Sequence, residues 1–133
     1  MGEDMSARTP DGQLWRSDTL RCLIVLFSSP VQHREAENVL EKAASLSVKG
    51  HTVTIFLLGD GVYSASMPLS LPGASDVVAG FAGLAGVNIT GCSTCAAMRG
   101  VSTVIKNARM GGLEDLVEEI ETADAVFNYT AEE

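Results

Sequence analysis

Two cysteines separated by two residues form the most reactive combination of side chains in this sequence. Cys92 and Cys95 lie in the segment Gly91-Cys92-Ser93-Thr94-Cys95, and Arg99 follows four residues after Cys95. A thiol reacts as its thiolate, which both the N-terminus of a helix and a nearby cation favour. The spacing therefore predicts thiol chemistry, with Arg99 holding a thiolate or a persulfide, unless both cysteines are simply buried as small apolar side chains.

The elements that would position this pair alternate between strand and helix. Apolar, β-branched runs predict strands at Leu20–Phe27, Thr52–Leu58, Val87–Thr90 and Ala125–Tyr129. Helical spacing of apolar residues predicts helices at Ala36–Val48, Asp76–Ala85, after Cys95 to about Met98, at Thr103–Arg109 and from Leu113 to Ile120. This alternation predicts a three-layer α/β/α fold around a mostly parallel sheet of four or five strands.

Sites in such folds form beyond the carboxyl ends of the strands. The predicted loops at that edge contain the remaining candidates for binding. His33 follows the first strand and is a candidate proton shuttle, or a side chain that faces solvent. The turn Gly59-Asp60-Gly61 follows the second strand, where Asp60 would orient a loop or a substrate, although such turns are common.

The composition excludes several classes of function. Nine basic and seventeen acidic residues give a formal charge of −8, so nucleic acid and anionic membrane surfaces would repel the chain. No apolar stretch approaches the roughly 20 residues that span a bilayer. The sequence contains no phosphate-binding glycine loop and no nucleophile elbow, and a single Cys-x-x-Cys supplies only two metal ligands. We therefore expect no cofactor and no metal.

The length of 133 residues suits a single domain. Residues 1–19 have no periodic pattern and are predicted to be a flexible tail, which leaves residues 20–133 as the domain. The acidic N-terminus has no hydrophobic signal region, and three cysteines do not make a closed set of disulfides. We expect a cytoplasmic, reducing location, with Cys22 as an inert core residue of the first strand.

Four segments in a fixed order resemble the DsrE/DsrF/TusD-like sulfur-relay family. They are the first strand at Leu23–Phe27, the turn Gly-Asp-Gly-Val-Tyr at 59–63, the segment Cys92-Ser-Thr-Cys95-Ala-Ala-Met-Arg99-Gly100-Val101, and the ending from Leu113 to Phe127. The resemblance runs from about Leu20 to Tyr129. It implies a flavodoxin-like fold, assembly into homo-oligomers (trimers or hexamers) or hetero-oligomers with related subunits, and sulfur donor and acceptor proteins as partners.

The resemblance also implies that a cysteine shortly before an Arg-Gly pair accepts sulfane sulfur as a persulfide. Cys92 stands eight residues before Gly100 and matches the carrier position of TusD-like and DsrE-like members. Cys95 matches a cysteine nearer the Arg-Gly pair in other branches, so the carrier is either residue. With two thiols present, the second could also release sulfide by forming a Cys92–Cys95 disulfide.

Three functions follow, and the sequence favours the first. It is a sulfur carrier or sulfurtransferase that holds a persulfide on Cys92 or Cys95 and passes it to a partner protein, without nucleotide, metal or flavin. The second is a dithiol redox protein that uses the same pair. The third is a non-catalytic oligomeric protein that binds a small ligand.

Overall fold

Five parallel strands form one sheet in the computed structural model, which describes residues 19–31, 34–66 and 75–130. The strands are β1 (Arg21–Leu26), β2 (Thr52–Leu57), β3 (Val87–Cys92), β4 (Ala108–Gly111) and β5 (Ala125–Tyr129). The helices are α1 (Glu35–Val48), α2 (Ser75–Ala82), α3 (Ser93–Met98) and α4 (Leu113–Thr122), and a 3-10 helix spans Gly59–Ala65. The predicted tail falls almost entirely outside the described residues.

The strand order β4-β3-β2-β1-β5 confirms the predicted three-layer class of fold. Every strand pair is parallel, with Ile24 of β1 opposite Ile55 of β2 and Phe127 of β5. The order differs from the 2-1-3-4-5 order of flavodoxin itself. Because the chain steps from β1 to β4 in one direction and then returns to β5 on the far side of β1, right-handed crossovers place α4 on the face opposite α1, α2 and α3.

The core lies mainly between the sheet and α1 with α2. α1 turns Ala36, Val39 and Ala43 inward, at the spacing that one face of a helix requires, and all three are fully buried. Of the helices in the described part of the chain, only α4 covers the opposite face. Its apolar residues Leu113, Val117 and Ile120 remain 58 %, 53 % and 48 % exposed, so this second outer layer is incomplete. No helix among the described residues is long and apolar enough to cross a membrane.

The predicted helix at Thr103–Arg109 is wrong. Val104 instead forms an isolated β-bridge with Ser66, Lys106 and Asn107 lie in a turn, and Ala108–Gly111 is β4, the edge strand of the sheet. Ile105 is buried and its N–H donates to the carbonyl of Ala65 at 2.9 Å, while the Asn107 side chain donates to the carbonyls of Phe81 and Leu84. These long-range bonds outweigh the local helical pattern.

The close approach of the 3-10 helix to β1 predicts a strict requirement for glycine at position 61. A Cβ at Gly61 would collide with the carbonyl of Leu26, which is backbone and has no room to yield. We expect Gly61→Ala to lower the free energy of unfolding by about 2 kcal/mol or more in urea denaturation. At Gly83 a Cβ would make only ordinary contacts at 3.4 and 3.6 Å. The control Gly83→Ala should therefore be neutral or up to about 1 kcal/mol stabilising, and equal losses in both variants would contradict this account.

Candidate functional site

Three adjacent strands end at the same edge of the sheet, and the candidate residues follow them. β2 leads into the 3-10 helix through Gly59, whose φ of 53° lies in the left-handed region that favours glycine. An ideal Cβ at Gly59 would lie 3.7 Å from the carbonyl oxygen of Phe27 and 3.9 Å from Nη2 of Arg99. The turn after β2 thus lies between the end of β1 and the arginine that follows α3.

Arg99 joins the turn after β2 to the cysteine segment. Its Nε donates to Oδ1 of Asp60 at 2.8 Å, and its Nη1 donates to the carbonyl oxygen of Cys95 at 3.1 Å. The hydrogen bond that Arg99 donates to Asp60 raises the pKa of Arg99, which keeps the guanidinium charged. The side chain of Arg99 is 27 % exposed and that of Asp60 is 51 % exposed. Such a pair contributes little to stability, so its main effect is to fix the position of the guanidinium.

Cys92 is buried at the junction of β3 and α3. It is the last residue of the strand and the N-cap of the helix, and it is 2 % exposed. Its Sγ accepts a hydrogen bond from the backbone N–H of Cys95 at 3.3 Å. Burial is the largest of the effects that raise the pKa of the Cys92 thiol above its ordinary value of 9.0, followed by its interaction with the Cys95 side chain. The expectation of a thiolate at the helix N-terminus is therefore wrong for Cys92, because desolvation outweighs the backbone N–H groups.

Cys95 differs from Cys92 in both exposure and charge environment. It lies in the first turn of α3, is partly exposed, and is not in a disulfide. The Arg99 guanidinium donates to the carbonyl oxygen of Cys95 at 3.1 Å, so this cation lies against the backbone of the residue. The site thus contains one accessible thiol beside a cation and one buried thiol behind it.

Gly61, His33 and Cys22 are the remaining residues for which the sequence predicted a role. Gly61 is buried beneath Leu26 and shapes the turn, while His33 lies outside the described residues. Cys22 is confirmed as a core residue of β1, and burial is the main cause that raises the pKa of its thiol. Within the described ranges, no group of three or more His, Cys, Asp or Glu side chains is placed to hold a metal ion.

Nothing in the sequence distinguishes three buried polar groups that follow β1 and β2. Oγ of Ser28, Oε1 of Glu35 and Oγ of Ser64 are buried and have no hydrogen-bond partner among the described residues. Each such atom costs roughly 1–3 kcal/mol relative to a satisfied one. Serines in polar loops are ordinarily solvated, so only the structure distinguishes these hydroxyls from the others.

The chain combines a parallel α/β/α fold with two thiols beyond the carboxyl ends of the strands. Comparison with known proteins identifies the family to which a chain with these features belongs. The family model described as the DsrE/DsrF-like family matches residues 21–129, and the chain belongs to this family. The expected family membership is therefore confirmed. Among curated proteins, none matches the chain.

Solved structures show the same fold. The ychN protein from E. coli is 24 % identical, with a TM-score of 0.67 over 84 % of this chain and 100 % of its own. MTH1491 from Methanobacterium thermoautotrophicum, a protein of unknown function, is 13 % identical, with a TM-score of 0.64 over 82 % of this chain and 98 % of its own. At these identities the likeness establishes the arrangement of the chain and no activity.

The unequal burial of the two thiols predicts unequal reactivity. Under native conditions at neutral pH, iodoacetamide should modify Cys95 about tenfold or more faster than Cys92, because a raised pKa and burial both keep the Cys92 thiolate scarce. Timed quenching followed by peptide mass spectrometry measures both rates. In denaturant the two cysteines should react at similar rates, which is the internal control. Native modification of Cys92 before Cys95 would contradict the assigned geometry.

Proposed function

We propose that this protein is a sulfur carrier that accepts sulfane sulfur as a persulfide on Cys95 and passes it to a partner protein. The observation that carries the proposal is the position of Cys95, which is partly exposed and whose carbonyl oxygen accepts a hydrogen bond from the Arg99 guanidinium at 3.1 Å. Membership of the DsrE/DsrF-like family supports the same chemistry. Cys92 is the less suitable carrier, since an incoming donor cannot reach a thiol that is 2 % exposed.

The transfer is an exchange between sulfur atoms and follows the rules of thiol–disulfide exchange. The Cys95 thiolate attacks the terminal sulfur of a donor persulfide, a new bond forms between Cys95 Sγ and that sulfur, and the donor leaves as a thiolate. An acceptor thiolate then attacks the same terminal sulfur, and Cys95 leaves as the thiolate. The two steps balance without an outside oxidant or reductant.

Arg99 has a defined part in this proposal. A persulfide anion on Cys95 would lie on the residue whose carbonyl oxygen accepts from the Arg99 guanidinium at 3.1 Å, and Asp60 would hold that cation in position through the 2.8 Å hydrogen bond. Arg99 acts on the bound sulfur directly, whereas Asp60 acts through Arg99. Free thiols such as those of Cys92 and Cys95 persist in a reducing compartment, which is consistent with the expected cytoplasmic location.

Persulfide mapping tests the choice of carrier. After anaerobic incubation with inorganic polysulfide and removal of the excess, Cys92→Ser should carry one additional sulfur atom on Cys95, as measured by peptide mass spectrometry. Serine retains a hydroxyl that can accept the helix-capping hydrogen bond at position 92. The matched control Cys22→Ser, made in the Cys92→Ser background, should leave labelling at Cys95 unchanged. An adduct on Cys92 in the Cys95→Ser protein, or no adduct on Cys95 in Cys92→Ser, would contradict the proposal.

We also propose that the protein associates with copies of itself through the face that α4 covers. The family resemblance implies an oligomer, and the exposed side chains of Leu113, Val117 and Ile120 would leave an apolar stripe in water if the chain remained alone. Burial of such a stripe between subunits is favourable in proportion to its apolar area.

Sedimentation velocity tests this association. The wild type should sediment as an oligomer, and Val117→Asp should shift the population towards the monomer because it places a charge in the stripe. Val48→Asp is the matched control, since Val48 is 87 % exposed on α1, away from α4, and it should leave the sedimentation unchanged. A monomeric wild type would contradict the proposal.

A further inference from the structure

We infer that Cys92 is a resolving thiol, which attacks the Cys95 persulfide, forms a Cys92–Cys95 disulfide and releases sulfide. This inference rests on the proposed persulfide at Cys95 and adds a second outcome for the bound sulfur. The protein would then be able either to pass sulfur to an acceptor or to reduce it to sulfide when no acceptor arrives.

The geometry of the two cysteines supports this step. The backbone N–H of Cys95 donates to Cys92 Sγ at 3.3 Å, so the Cys92 sulfur lies against the residue that carries the persulfide. The side chains of the two cysteines also interact with each other. Neither cysteine is in a disulfide, and β3 and α3 hold both within one turn of the chain. The attacking atom and its target therefore lie close together before any sulfur arrives.

The capping hydrogen bond would assist the attack. Negative charge that develops on Cys92 Sγ as it loses its proton is stabilised by the Cys95 N–H, which already points at this atom. The burial of Cys92 has a second effect, because it excludes outside thiols and leaves the Cys95 persulfide as the sulfur that Cys92 can reach. Cys92 therefore reacts only with the persulfide on Cys95.

The step is balanced in atoms and electrons. The Cys92 thiolate attacks Cys95 Sγ, the bond between Cys95 Sγ and the terminal sulfur breaks, and the terminal sulfur leaves with the electron pair of that bond as hydrosulfide. The proton lost by the Cys92 thiol is taken up by the departing terminal sulfur, directly or through solvent, so that it leaves as hydrosulfide. The terminal sulfur is reduced, and the two cysteine sulfurs are oxidised to the disulfide. A dithiol reductant, which exchanges with the new disulfide, must return both cysteines to thiols before the next cycle.

The two cysteines have different roles, although the sequence alone does not distinguish them. The accessible Cys95 receives sulfur, and the buried Cys92 removes it. A protein that only carries sulfur needs only Cys95. The presence of the Cys92 thiol beside it therefore gives the persulfide on Cys95 a limited lifetime.

Sulfide release from the loaded protein tests this step. Wild type, Cys92→Ser and Cys22→Ser are incubated anaerobically with inorganic polysulfide, desalted, and then followed for released sulfide and for the state of each cysteine by non-reducing peptide mass spectrometry. We expect wild type and Cys22→Ser to contain the Cys92–Cys95 disulfide and to lose the persulfide with release of sulfide. Cys92→Ser should retain the Cys95 persulfide, with release at least about tenfold slower, because its hydroxyl is a far weaker nucleophile than a thiol.

Failure of the inference is distinguishable from failure of the proposed function. If Cys92→Ser loads sulfur on Cys95 and the wild type keeps its persulfide equally long without a disulfide, the resolving role is overturned while the carrier function stands. If Cys92→Ser does not load at all, the carrier function itself is overturned, and the resolving role fails with it.

Discussion

The ion pair between Arg99 and Asp60 connects the two strand ends on which the site is built. Asp60 follows β2 and Arg99 follows α3, so their 2.8 Å contact fixes the cysteine segment against the neighbouring turn. The second contact of Arg99, with the carbonyl of Cys95, ties the same guanidinium to the backbone of the reactive residue. Because both partners are partly exposed, the pair adds little to the free energy of folding. Its consequence is positional: it holds the cation against the backbone of Cys95.

Two features of the backbone make this contact possible. The parallel register places Leu57 of β2 opposite Gly91 of β3, so the two strands end side by side and their following turns meet. Glycine at positions 59 and 61 then allows the chain to leave β2 in a left-handed conformation and to pass directly over the carbonyl of Leu26. Larger residues there would move Asp60 away from Arg99. The thiol site therefore depends on two residues that have no reactive group of their own.

Burial separates two thiols that share a motif. Cys92 ends a strand whose residues are packed in the core, and its sulfur is desolvated for that reason. Cys95 lies one helical turn further and reaches the surface. The same hydrogen bond that caps α3 links the two residues, so a structural requirement of the helix also brings together the atoms that our proposal places in successive chemical steps.

Periodicity predicted most of the fold, since β1, β2, α1, α4 and β5 produce clear apolar patterns that tertiary packing reinforces. It failed at Thr103–Arg109, where long-range contacts such as the hydrogen bond from Ile105 to Ala65, residues far apart in the sequence, outweighed a plausible helical pattern. Sites in parallel sheets form beyond the carboxyl ends of the strands, and this rule predicted the edge at which Asp60, Cys95 and Arg99 meet. The sequence could not predict the burial of Cys92, nor that the hydroxyls of Ser28 and Ser64 are buried without a hydrogen-bond partner among the described residues. Solvent access depends on how distant segments pack.

A double-mutant cycle on the ion pair tests the central claim most directly. The rate of sulfur transfer from polysulfide to Cys95 is measured in Asp60→Asn, Arg99→Gln and the double variant, each combined with Cys92→Ser so that the persulfide accumulates. We predict that Arg99→Gln slows loading about tenfold, equivalent to about 1.4 kcal/mol, that Asp60→Asn slows it less, and that the double variant is no slower than Arg99→Gln alone. Loading unchanged in Arg99→Gln, or slowed in the double variant by the product of the two single effects, would contradict the claim that Asp60 acts by positioning Arg99 beside the sulfur.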